Sequence, residues 1–306
     1  MSADHLVAVV LAALAAVLFG LAAVRQHGAV HATMSTGQHG GGLGVAAAWR
    51  LVRDPTWLLG ALQAAAAAGS HVVALALAPI TLVQPIGVLA VPVTVLGSAA
   101  AAHRSPGRRP LLGAALGVGG VAALTVVLLG PAAQPVQLPS WGLLLGVVLG
   151  IVAGAAVVVR SQQSWPPAAR CLLLSVTAAV LFGLNAILLR TIGHLVATGG
   201  LAAHLPLLWT ALAGMALALP LGLWSMQTAY TAGSPQVVIC CLTLVDPITA
   251  VAGGFLLLHD GVALSALSWV GALGCTAVAA VGVVLLSSDQ AVTPPSAVED
   301  PEANSR

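Results

Sequence analysis

The feature that most constrains this chain is a succession of apolar stretches, each long enough to cross a lipid bilayer. A helix needs about 20 apolar residues to span the hydrocarbon, where it must satisfy its own backbone hydrogen bonds. Nine stretches qualify: 6–24, 57–77, 80–102, 111–130, 141–159, 171–189, 205–224, 236–258 and 264–286. Composition argues the same way. Only 6% of the 306 residues are charged and 59% are hydrophobic, whereas a water-soluble domain carries about 25% charge. The expected fold is all-α, a polytopic transmembrane helical bundle whose first partner is the lipid bilayer. The long apolar run 57–102 is divided at Ala78-Pro79, because proline suits a first helical turn and disfavours helix in the residue before it.

Loop charges orient the spans. All ten basic residues are arginine. With the N-terminus outside, Arg25, Arg50, Arg53, Arg104, Arg108, Arg109, Arg160 and Arg170 fall in cytoplasmic loops and Arg190 in an outer one. The positive-inside rule favours this arrangement in a plasma membrane, with the C-terminus cytoplasmic. The first stretch has Asp4 and His5 where a cleaved leader would be basic, so it reads as a retained span. Segment 31–48 is polar and glycine-rich, and is expected to be a cytoplasmic loop leading into a short interfacial helix near Trp49. Residues 287–306 read as a disordered cytoplasmic tail. Trp141, Trp165, Trp209, Trp224 and Trp269 lie near span ends, as an interfacial belt requires.

The chain also repeats itself. Ala-Ala-Val-Leu-Phe-Gly-Leu stands at 15–21 and again at 178–184. Ala115-Leu116-Gly117 and Val126-Val127-Leu128-Leu129 recur 157 residues later at 272–274 and 283–286. Pro79 and His103 recur at an offset of 156 as Pro235 and His259, and Pro92-Val93-Thr94 at 155 as Pro247-Ile248-Thr249. A rival register sets Leu82-Val83-Gln84-Pro85-Ile86 against Leu244-Val245-Asp246-Pro247-Ile248 at an offset of 162. The first register aligns helix ends and keeps a nearly constant offset across the third and fourth spans, while the seven-residue match of the first and sixth stands at 163. It divides a membrane domain, 1–286, into repeat one (6–130), a linking span (141–159) and repeat two (171–286). One extra span between two four-helix copies inverts the second. Inverted repeats are characteristic of secondary transporters, whose binding site lies near the midplane.

Ala74-Leu-Ala-Leu-Ala-Pro79 and Ala229-Tyr-Thr-Ala-Gly-Ser-Pro235, each leading into a helix with a mid-span proline, resemble the drug/metabolite transporter superfamily (EamA-like) over nearly the whole chain. Nine spans and the run Ala78-Pro-Ile-Thr-Leu-Val-Gln-Pro-Ile-Gly87 are similar to its NIPA-type magnesium transporter branch. The resemblance implies transport of a small molecule or cation. Members commonly place a glutamate after spans 3 and 8; here His103-Arg104 and His259-Asp260 stand there.

Asp246 is the sole acid within an expected span, and an intramembrane charge costs roughly 2.5–3.5 kcal/mol on insertion scales, so it is read as functional. Pro247 breaks the hydrogen-bond ladder and frees the carbonyl near Thr243. A carboxylate beside freed carbonyls can bind a proton, a metal cation or an amine; alternatively Asp246 caps a half-helix beginning at Pro247. Gln84, Asn185 and His71 are further candidates for binding substrate or ion, and Pro85, Pro92 and Pro247 for backbone breaks lining the site. Asn185 and His71 also suit plain interhelical packing. His27 and His31 have metal-pair spacing but sit in a loop-like context. Gly142, Gly146, Gly150 and Gly154 form a ladder expected to pack tightly within the bundle or at a homodimer seam. There is no phosphate-binding loop, no His-Glu-x-x-His and no Gly-x-Ser-x-Gly, so no enzyme activity and no cofactor are expected. Net charge +2 and 4% aromatics give no nucleic-acid surface. The leading expectation is a secondary transporter. A magnesium transporter and a non-transporting membrane scaffold or sensor are the alternatives.

Overall fold

The computed structural model of the chain describes residues 3–35, 43–77, 86–103, 105–128, 137–258 and 266–288. Every described element is helical. In chain order they are α1 (Ala3–Ser35), α2 (Val45–Leu51), α3 (Pro55–Leu77), α4 (Ala90–Ala101), α5 (Arg108–Leu128), α6 (Trp141–Ser161), α7 (Pro167–Ala197), α8 (Leu205–Tyr230), α9 (Pro235–Leu258) and α10 (Ala266–Ser288), with a 3-10 turn over Gln162–Ser164. Seven of them (α1, α3 and α6 to α10) are long and apolar enough to cross a membrane. The expected third span, 80–102, is represented by α4, which is apolar but only 12 residues long. The fourth, 111–130, is represented by the 21 residues of α5, which is not among the seven. The division at Ala78-Pro79 and the polar tail from residue 289 onward fall outside the described residues.

The outside of the bundle is what lipid demands. Leu62, Val72, Val126, Leu256, Val270 and Leu273 are each more than 60% exposed, a distribution that would leave large apolar patches against water. Two large buried clusters make most of the described interior. One gathers Val30, Val91, Cys171, Leu174, Tyr230, Val238, Cys240 and Cys241. The other gathers Leu144, Val148, Leu181, Leu184, Leu188, Leu207 and Leu258 from α6 to α9. A small third one joins Ala8 and Ala12 of α1 to Ala74 of α3.

Helix ends follow local chemistry. The Asp54 carboxylate accepts from the Trp57 backbone N–H at 2.8 Å and starts α3. Ser140 does the same for α6 through Leu143 N–H, and Pro167 occupies the first turn of α7, where its missing donor costs nothing. Helix α1 corrects the expectation that the chain turns to loop after residue 24. It continues 11 residues further, through His27 and His31 to Ser35. Polar side chains on the extension are satisfied by the fold: Gln26 by Gln227, His27 by a backbone carbonyl, and Thr33 by the Ala29 carbonyl. At 33 residues, α1 is about 50 Å long, more than the ~30 Å needed to cross the hydrocarbon. Short α2 packs against α1, with Trp49 exposed and the Arg53 guanidinium stacked 4.4 Å from its ring. Arg190, expected in an outer loop, lies inside α7, which runs on to Ala197.

The most extensive packing joins α1 with α3, α7 with α8, α7 with α9, and α5 with α10. Helix α4 lies against α1 and bridges to α9. Glycine permits the closest approaches. A Cβ at Gly20 of α1 would lie 2.7 Å from Val93 Cγ1 and 2.9 Å from the Ala90 carbonyl oxygen of α4. A Cβ at Gly183 of α7 would lie 2.6 Å from Thr249 Cβ and 2.9 Å from the Asp246 carbonyl oxygen of α9. The α5–α10 pair meets backbone to backbone: a Cβ at Gly282 would lie 2.6 Å from the Gly113 carbonyl oxygen, and one at Gly120 2.6 Å from the Ala279 nitrogen.

The α6 ladder corrects the other packing expectation. A Cβ at Gly142, Gly146, Gly150 or Gly154 would meet nothing within 4 Å. The side of α6 that meets the bundle carries Leu144, Val148 and Ala155 instead, so among the described residues the glycines do not pack tightly within the bundle, and the homodimer seam is the alternative that stays open. We predict that Gly282→Val lowers the melting temperature of the detergent-solubilised protein, by the ~1–3 kcal/mol or more that overpacking costs. Gly146→Val stays within about 0.5 kcal/mol of wild type. Equal losses at both positions would show the assignment of the tight seam to be wrong.

Candidate functional site

Two polar features interrupt the apolar interior. The first is Asp246, half-buried near the middle of α9. Helix α9 runs unbroken through Pro247, so the expected backbone break there does not occur and Asp246 does not cap a separate half-helix. The ladder still loses the bond that residue 247 would donate to the Thr243 carbonyl, since proline has no N–H. The Thr243 hydroxyl turns back to the Ile239 and Cys240 carbonyls at 2.9 and 3.2 Å. Among the described residues the Asp246 carboxylate makes no hydrogen bond or ion pair. Its backbone carbonyl is pressed against Gly183 of α7, which fixes the residue's place in the bundle and leaves the side chain available.

The second feature is a layer at the end of the bundle near α2. The Trp57 indole N–H donates to Gln227 Oε1 at 3.1 Å, and Gln227 Nε2 donates to Gln26 Oε1 at 2.8 Å. Both amides are nearly sealed, Gln26 at 5% and Gln227 at 6% exposure. Each buried amide has a partner, so neither carries the desolvation cost of an orphaned donor or acceptor. Beside them His27 Nε2 lies 3.1 Å from the Gly233 carbonyl oxygen, so that nitrogen carries the proton. The His31 ring sits 4.4 Å from that of His27, and Tyr230, fully buried, meets His27 edge-on at 6.0 Å. His27 and His31 thus do pair, on a helix rather than in a loop. Among the described residues, however, no group of three or more His, Cys, Asp or Glu side chains assembles into a metal site.

The other expected site residues scatter. His71 on α3 lies beside Gly87, where an added Cβ would be 3.9 Å from its Cε1. Asn185 donates to the Leu181 carbonyl of its own helix at 2.8 Å, while its Oδ1 is buried without a partner. It stands two residues beyond Gly183, about 200° around α7, so it does not face the α9 contact that holds Asp246. Pro92 falls in the first turn of α4, where no donor is missed. Gln84 and Pro85 lie outside the described residues. Sequence reasoning missed the layer of Gln26, Trp57, Gln227 and Tyr230. The available signal was a set of uncharged polar residues clustered just beyond three expected span ends. No family model, curated protein or solved structure matches the chain.

The amide layer makes an asymmetric prediction. Gln227→Leu leaves Gln26 and the Trp57 indole unpaired and should destabilise by about 1–3 kcal/mol. In the double variant Gln26→Leu/Gln227→Leu, with one fewer orphaned group, the loss per substitution should be smaller. Thermal melts of the singles and the double form the cycle, and additive losses would disprove direct pairing.

Proposed function

We propose that the chain is a multi-pass carrier of the drug/metabolite transporter type, moving a small solute by alternating access between two inverted four-helix units. The supporting observation is the pairing of glycine contacts. Gly20 and Gly183 occupy the same place in the repeated Ala-Ala-Val-Leu-Phe-Gly-Leu segment, and each packs on a carbonyl and the residue three further on: Ala90 and Val93 in one case, Asp246 and Thr249 in the other. The glycines differ by 163 residues and both partner positions by 156, so for the α4/α9 pair the contacts agree with the first register and not with the offset of 162. The pairs α1·α3 and α7·α8, and α1·α4 and α7·α9, correspond in the same way, while α5·α10 and α4·α9 join the two units. Two similar units meeting along a shared seam are the arrangement that rocks around a central site. In this reading α4 and α5, with the segment before α4, supply the third and fourth of nine spans, and the N-terminus lies outside.

Asp246 is the group we assign to binding or coupling. A solitary carboxylate at mid-helix, next to a carbonyl released by Pro247, suits a proton or an organic amine. Magnesium is the second candidate, because it retains several waters and uses one or two carboxylates. The test is uptake into proteoliposomes of magnesium and of a panel of amines, with and without a pH gradient. We expect flux of at least one solute, reduced about tenfold or more by Asp246→Asn, equivalent to ~1.4 kcal/mol. Absence of flux with every solute would refute transport, and flux unchanged in Asp246→Asn would refute the site.

A further inference from the structure

We infer that the Trp57–Gln227–Gln26 chain and the His27–Gly233 bond form a latch that holds the α2 end of the bundle shut, and that this end opens only when the latch is broken. The inference rests on the two-unit reading above. Trp57, Gln26 and His27 belong to the first unit, on α3 and α1. Gln227 and Gly233 belong to the second, at the end of α8 and in the turn before α9. Among the described residues these three side-chain hydrogen bonds cross between the units at one end, where His31 of α1 also meets the Tyr230 backbone of α8.

Geometry makes this a closure rather than ordinary packing. The extension of α1 beyond residue 24 exists to carry Gln26, His27 and His31 over the end of α8. On the other side the partners sit where α8 gives way to α9, a junction any reorientation of those helices must displace. The bonds are neutral, so they can break and re-form without separating charges in a region of low polarity. Directly against the layer, Cys171, Cys240 and Cys241 are each 1% exposed and share a core with Tyr230. A closed end hides these thiols; an open one gives water a route to them.

The thiols supply the test. Purified protein carrying Cys275→Ser, which removes the partly exposed fourth cysteine, is placed in nanodiscs and treated with a hydrophilic maleimide. The three remaining thiols should react slowly. Gln227→Leu, which removes both amide-layer bonds, should speed labelling about tenfold, the shift that follows from losing ~1.4 kcal/mol of closure. His27→Phe removes only the bond to Gly233 and should speed it less; it takes the place of Gln227→Leu should that variant lose its cooperative melt. Labelling no faster than in the parent would overturn the latch. Because labelling requires no substrate, it decides the latch whether or not flux is found, and flux alone decides the carrier reading.

Discussion

The close approach of helix backbones at glycine is the interaction on which the rest of this structure depends. Where outward faces are leucine, valine and tryptophan, burying one more aliphatic side chain gains little, because lipid is as apolar as the protein interior. Dispersion contacts between closely fitted surfaces and hydrogen bonds between helices must do the work. Gly113, Gly120 and Gly282 let α5 and α10 touch backbone to backbone, and Gly20 and Gly183 let α1 and α7 seat on α4 and α9. A methyl group at any of these positions would strike backbone or Cβ atoms that have nowhere to move.

That packing decides where polar groups are tolerated. Asp246 lies opposite Gly183, where two helices are pinned through the backbone and, among the described residues, the carboxylate has no partner. Gln26 and Gln227 lie at the end of the bundle, where α1, α3 and α8 converge and each amide finds another. The two polar features have opposite characters. The layer is internally satisfied, whereas the carboxylate makes no hydrogen bond or ion pair among the described residues.

The membrane-scale features were legible because they depend on composition summed over about 20 residues. Apolar length marked the seven long helices, and the glycine-rich segments of 113–120 and 271–282 were visible as part of the repeat. The ends of helices were less legible. Hydropathy stops α1 near Arg25, but the helix continues with His27 and Gln26 finding partners 206 and 201 residues away in the chain, which no local window can register. The α6 ladder shows a different limit. Four glycines spaced by four residues identify a face, yet whether that face meets a helix or the surroundings depends on which side of α6 the rest of the bundle covers.

By itself, then, the sequence determined the helical class, the apolar exterior, the internal repetition and the isolated position of Asp246, all of which follow from local hydropathy and residue identity. Tertiary structure alone decided that α9 passes intact through Pro247, and that Gln26, His27, Trp57, Gln227 and Gly233 meet at one end. The reason is that side-chain pairing between helices depends on their relative rotation and axial offset, which are set by the glycine contacts, and a single chain written in order does not encode them locally.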